Sequence, residues 1–99
     1  MTWPYRLSRS ARRDLQEISD YWAERAGPDV ALRIVSGIIE TILLLSQQQR
    51  MGRAMEEFGP GVRRFPSRRY VIYYRVSRSR IQVLHVFHGS RDQRKAWSN

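Results

Sequence analysis

The chain has no cysteine, and over 99 residues that absence excludes several kinds of chemistry. Without thiols there is no disulfide staple, no thiolate nucleophile and no thiolate metal site, so stability rests on packing and a reducing cytoplasm is the expected setting. Long apolar runs are missing as well. None approaches the roughly 20 residues that cross a bilayer, and Met1-Thr-Trp-Pro-Tyr-Arg6 has no basic stretch leading into an apolar one, so neither export nor a membrane location is expected. The sequence holds no glycine-rich phosphate loop, no HExxH pair and no paired carboxylates on its strands, so no cofactor and no metal are expected.

Acidic residues are scarce in one half only. Residues 1–49 balance six Arg against six Asp or Glu, whereas residues 50–99 set eleven Arg and Lys95 against Glu56, Glu57 and Asp92. The whole net charge of +9 therefore lies in the second half. Lysine is almost unused, and the planar guanidinium that replaces it binds carboxylates and phosphates bidentately. An acidic protein or a nucleic acid is the expected partner; a merely solubilising face is the alternative.

What is present reads as an α+β domain spanning residues 1–99. Tyr5-Arg-Leu-Ser8 after Pro4 reads as a short first strand, placed at an edge or at a strand start because proline cannot donate to a ladder. Ser8 or Ser10 then caps a helix in which Ala11, Leu15, Ile18 and Trp22 form one stripe, running to about Ala26. Gly27-Pro28 ends it, and Pro28 suits the first position of a second helix. That helix carries Ala31, Ile34, Val35, Ile38, Ile39, Ile42 and Leu45 over a wide arc, more than one sheet face needs. The polar strip of Arg33, Gly37, Glu40 and Thr41 is narrow. Gln47 to Phe58 reads as loop, Val62-Arg-Arg-Phe65 as a short strand and Pro66-Ser67 as a turn.

The most informative stretch is the hairpin of Arg69–Val76 and Ile81–His88, joined through Ser77-Arg-Ser-Arg80. Tyr70, Ile72, Tyr74 and Val76 point one way and Val71, Tyr73 and Arg75 the other, so both faces carry aromatics and the strand should be central. In the second strand strict alternation puts Ile81, Val83, His85 and Phe87 together. A bulge near Leu84-His85 would instead bring Val86 to the side of Val83 and turn His85 away. His85 and His88 are the two histidines, and at this spacing they share no face. Arg75, His85, His88 and Arg91 form the set that could hold a phosphate and move protons for attack by an RNA 2′-hydroxyl. Arginine and aromatic residues equally make protein-binding hot spots. After Asp92 the basic tail reads as short, with no assigned structure.

The order of elements, Gly52-Arg53, Val62-Arg-Arg-Phe65, Tyr70-Val-Ile-Tyr-Tyr-Arg-Val76 and above all Val86-Phe-His-Gly-Ser-Arg-Asp92 resemble the ParE branch of the RelE/ParE toxin superfamily over nearly the whole chain. The resemblance implies a β-α-α-β-β-β fold and a hetero-oligomer with a cognate acidic antitoxin, ParD-like or other. It implies DNA gyrase as the target and growth arrest as the outcome. RelE relatives instead cut mRNA in the ribosome, and a toxin-like fold that only binds its partner is a further alternative. Gln47-Gln48-Gln49 departs from the pattern, since many ParE sequences have a proline before Gly-Arg. On this reading the antitoxin takes Trp22, Val35, Ile39, Leu43, Arg63, Arg64 and Arg75, and the target takes His88, Arg91 and Lys95. The two surfaces are expected to be separable; a local Arg91–Asp92 pair is the plainer account of the tail.

Overall fold

Ser8 sets the start of the first helix. Its side chain accepts the Ala11 N–H at 2.9 Å and donates to the Leu84 carbonyl at 2.8 Å, so one hydroxyl caps the helix and ties it to the far end of the chain. The computed structural model describes residues 4–91 and 93–98. In order these form β1 (Tyr5–Leu7), α1 (Arg9–Ala26), α2 (Pro28–Gln47), β2 (Arg53–Ala54), a 3₁₀ turn (Glu56–Phe58), β3 (Val62–Ser67), β4 (Tyr70–Ser77), β5 (Arg80–His88) and α3 (Gln93–Ser98). Gly27 joins the two long helices at φ 96°, a conformation that favours glycine, and Pro28 opens α2 as expected.

The five strands form one sheet in the order β1-β5-β4-β3-β2. β3, β4 and β5 are an antiparallel meander, and β1 adds parallel to β5. β4 is central, and its alternation divides the interior in two. Tyr70, Ile72 and Tyr74 face the helices and meet Ala11, Leu15, Ile18, Ile38, Ile42 and Leu45. Val71 and Tyr73 face the other way and join Val62 and Phe87, covered by Met55, Phe58, Leu84 and Trp97. Burying an aliphatic side chain such as Ile42 is worth roughly 1.5–3 kcal/mol, so the helical layer carries most of the stability.

The bulge falls at Leu84. Tyr73 pairs with His85 but Tyr74 with Val83, leaving Leu84 extra, and Val86 joins Val83 in the helical core while His85 stacks on Phe87 on the other side. β1 ends at Leu7 opposite Val83, so beyond that point α1 must satisfy the outer edge of β5. It does so with Ser8 on the Leu84 carbonyl and with Asp14, whose Oδ2 accepts the Val86 N–H at 2.9 Å.

Several expectations need correction. β3 continues through Pro66 to Ser67, and the turn is Arg68-Arg69. Val62 accepts the Met55 N–H on its outer edge, and Pro66, sharing that parity, turns its missing donor towards an edge that β2 does not reach. The β4–β5 connection is a two-residue turn, Arg78-Ser79, with φ 51° and 66°. Within the stretch read as loop, Arg53-Ala54 pairs with β3 and Glu56–Phe58 is a 3₁₀ turn. The tail forms α3, anchored by Trp97. Met1–Trp3 and Asp92 lie outside the described residues, and with Asp92 any Arg91–Asp92 pair. Among the described residues no helix is long and apolar enough to cross a membrane.

The connection after α2 is fixed by one phenol. The Tyr74 hydroxyl donates to the Gln49 carbonyl at 2.7 Å and accepts the Gly52 N–H at 2.9 Å, and Arg63 Nη1 donates to the Gly52 carbonyl at 2.6 Å. A Cβ at Gly52 would lie 2.5 Å from that phenol oxygen and 2.9 Å from the Arg64 carbonyl, so glycine is required by close approach. Gln49, in the glutamine run, also donates through Nε2 to the Ser79 carbonyl at 2.7 Å, which anchors the loop to the β4–β5 turn.

Candidate functional site

Two surfaces hold the residues singled out by sequence. The first is the outer side of the helical hairpin. Trp22, Val35 and Ile39 are half-buried against the helical core, and Trp22 Nε1 donates to the Tyr70 hydroxyl at 2.8 Å. Leu43 is 39% exposed, and Leu32 and Leu44, which the periodicity did not single out, are 68% and 41% exposed. The wide apolar arc of α2 is thus only partly used by the sheet. Beside it a groove of about 320 Å³ opens between α2 and the β3–β4 turn, walled by Trp22, Ile34, Ile38 and Tyr70.

The three arginines expected to join this surface do not lie together. Arg63 shares the helical face with Tyr74 and is spent on the Gly52 carbonyl. Arg64 and Arg75 project from the opposite face, Arg64 with its guanidinium 6.0 Å from the Tyr73 ring and Arg75 donating Nε to the Pro60 carbonyl at 3.0 Å. The second face of the sheet is therefore an aromatic cluster edged by guanidinium groups. Burial raises the Tyr73 phenol above its usual range, with Arg64 pulling it down and Glu57 pushing it up. Burial likewise raises Tyr74, against the lowering effects of the Gly52 N–H and Arg63.

The second surface lies where β5 ends. His88 and Arg91 line a cleft with Arg69, Tyr70, Tyr21 and Trp22, closed on the helical side by Asp14 and Glu17. The Ser90 N–H points at His88 Nδ1 at 3.2 Å, and Ser90 Oγ is 2.6 Å from the same nitrogen, so Ser90 engages Nδ1 and leaves Nε2 free of these contacts. Arg91 is exposed, its guanidinium 5.1 Å from the Phe87 ring. Lys95 is exposed on α3. Trp22 belongs to this cleft as well as to the groove, so the hairpin surface and the strand-end surface adjoin.

The set Arg75, His85, His88 and Arg91 is not gathered at one point. Arg75 pairs with Gln82 and His88 with Tyr70, five positions apart along β4 or about 17 Å. His85 lies across the sheet from His88, with Nδ1 3.2 Å from Asp14 and its ring 4.7 Å from both Phe87 and Trp97. Its ring is packed between these neighbours rather than open to the cleft that His88 lines. Sequence reasoning missed Asp14, Arg69 and Trp97. A lone tryptophan in a basic tail, opposite a sheet face that lacked a cover, was the available signal for the last of these.

A small basic domain with a helical hairpin on a mixed sheet, exposed apolar side chains on α2 and cations at the strand end is built to bind another macromolecule. Comparison with known proteins gives the family. Residues 5–93 match the family described as ParE toxin of type II toxin-antitoxin system, parDE. Toxin ParE1 of Caulobacter vibrioides is 35% identical over 91 residues, covering 92% of this chain and 94% of that protein. Toxin ParE1 of Mycobacterium tuberculosis is 32% identical over 93 residues, covering 93% and 95%. The solved structure of the chromosomal ParDE TA system from P. aeruginosa contains a chain similar to this one at a TM-score of 0.73 and 29% identity, covering 85% of this chain and 92% of that one. The chain belongs to the ParE toxin family.

Proposed function

We propose that this protein is held inactive by an acidic antitoxin and, when free, poisons DNA gyrase. The observation that carries the antitoxin half is the exposed apolar side of α2, with Leu32, Leu43 and Leu44 in water beside a half-chain of net charge +9. A partner that is apolar towards the hairpin and acidic towards its flanks complements both, and the ParDE assembly of the similar solved structure supports it. The gyrase half rests on family membership together with the exposed imidazole and guanidinium at the end of β5, which suit recognition of carboxylate or phosphate. Because Trp22 lines both surfaces, an antitoxin on the hairpin would border His88 and Arg91, and neutralisation by occlusion follows.

Purified toxin should inhibit gyrase supercoiling and accumulate double-strand breaks while leaving ribosome-bound mRNA intact; cleaved mRNA with normal supercoiling overturns the gyrase reading. Leu43→Asp should weaken the antitoxin complex without unfolding the toxin, and Ile39→Asp should weaken it too, at some cost in stability because Ile39 packs partly on the core. Arg91→Ala should abolish growth arrest, whereas arrest at wild-type strength would remove Arg91 from the target surface. Truncation after Gly89 is a poor substitute, since it also strips Trp97 from Phe58, Tyr73 and Phe87.

A further inference from the structure

Gly37 sits in the interior of α2, where alanine would favour the helix, and nothing inside the molecule asks for glycine there. A Cβ built on it meets no atom within 4 Å. Its φ is not in the left-handed region, and the helix runs through it without a break. Yet Gly37 lines both the groove beside Trp22 and the shallower depression that continues it past Thr41 and Leu44. At the opposite bank Arg68 shows the reverse choice. It occupies φ 57° at the β3–β4 turn, where glycine would sit at ease, and its side chain borders the same two depressions. Arg33 and Arg69 complete a rim of three guanidinium groups, and among the described residues none of the three has a carboxylate partner.

Two local preferences are set aside along one groove, which is what a contact outside the chain produces. Resting on the antitoxin reading above, we infer that the antitoxin's backbone crosses α2 at Gly37, closely enough that a methyl group would obstruct it. The crossing segment places an apolar side chain between Trp22, Ile34, Ile38 and Tyr70 and its carboxylates against Arg33, Arg68 and Arg69. Charge complementarity selects this occupant: the walls are apolar, Arg68 and Arg69 stand at the turn bank with Arg33 facing them from α2, and among the described residues Glu40 lines only the far depression. Gly37 then sets specificity by admitting a backbone where any side chain would exclude it.

The glycine makes the test independent of folding. Gly37→Ala should raise the Tm of the isolated toxin by roughly 3–8 °C, because alanine suits a helix interior better. The probe is the antitoxin co-expressed from the reading frame adjoining the toxin's own, titrated calorimetrically. Its affinity should fall at least about tenfold for Gly37→Ala and be lost for Gly37→Leu, with both variants folded. Arg68→Gly should likewise melt higher and bind more weakly. Wild-type affinity in both Gly37 variants overturns the crossing point while leaving the antitoxin reading intact. A lower Tm for Gly37→Ala also overturns it, by showing that the fold itself needs the glycine. If wild-type toxin binds no antitoxin, the reading under Proposed function and this inference fall together.

Discussion

Replacing Tyr74 with phenylalanine removes one oxygen from the centre of the sheet, and that oxygen joins the connection after α2 to β4. The phenol is fully buried, donates to the Gln49 carbonyl and accepts the Gly52 N–H. Gly52 is itself buried, so its N–H loses its acceptor and does not recover it from water; the half-exposed Gln49 carbonyl loses less. An orphaned buried donor costs about 1–3 kcal/mol, so Tyr74→Phe should cost about 2–3 kcal/mol in urea unfolding and lower Tm by roughly 10–20 °C. Gly52→Ala approaches the same contact from the other side. Its Cβ would stand 2.5 Å from the phenol oxygen, 2.8 Å from Cε1 and 2.9 Å from the Arg64 carbonyl, so it too should cost several kcal/mol, on the order of other overpacked sites. In the double variant the oxygen is gone and the nearest clash is relieved. The combined loss should fall short of the two single losses together by at least about 1 kcal/mol. The shortfall is partial, since Cε1 of the ring and the Arg64 carbonyl both stay. Four urea curves measure it, and additivity within about 0.5 kcal/mol would refute the account of the loop as held by this one hydroxyl.

Three further outcomes are expected. Asp14→Ala leaves the Val86 N–H and His85 Nδ1 without their acceptor and should cost about 2 kcal/mol, with Asp14→Asn recovering part; an unchanged urea midpoint would show that the edge of β5 needs no cap. Arg78→Asn and Ser79→Gly relieve positive φ at a two-residue hairpin turn and should each stabilise by about 0.5–1 kcal/mol, read as a higher Tm. Folding raises the phenol pKa of Tyr73 and Tyr74, so it favours their protonated forms; the stability this gives is complete below about pH 10 and is lost as pH rises through the folded-state values. Tyrosinate absorbance compared between wild type, Tyr73→Phe and Tyr74→Phe should show that each substitution removes a phenol ionising above its usual range, together with unfolding, and loss of an ordinarily titrating phenol would refute it.

The central hairpin was legible because alternation in β4 writes both faces of the sheet into one string of residues, and the misplaced parity of Leu84 and Val86 signalled the bulge. The helical hairpin was legible through its apolar spacing and Gly27-Pro28. Pro66 was misread as a turn because its tolerance depends on whether a neighbouring strand reaches it, which is a tertiary fact. The same holds for α3. Six residues of basic tail are a poor helix by themselves, and the helix exists because Trp97 finds Phe58, Tyr73, His85 and Phe87 from three other segments. At the candidate site the residue types were legible and their grouping was not. Arg63 and Arg64 are neighbours in sequence and fall on opposite faces of β3, and Trp22, eight residues from Asp14, shares a cleft with residues at the other end of the chain.

The parallel pairing of β1 with β5 sets an order of events during synthesis. Tyr5 waits for Ile81, so the first strand made has no partner until the last strand leaves the ribosome. The contacts that α1 makes with β5 wait with it, while those it makes with α2 do not. Up to that moment α1 and α2 can form a hairpin, since their contacts are local, but its apolar side has no sheet to lie on. Long-range closure of this kind slows folding and prolongs the exposure of unfinished surfaces. For most of its synthesis the nascent chain therefore exposes an unfinished apolar hairpin, and on the antitoxin reading proposed above that surface is open to the partner before the sheet is closed.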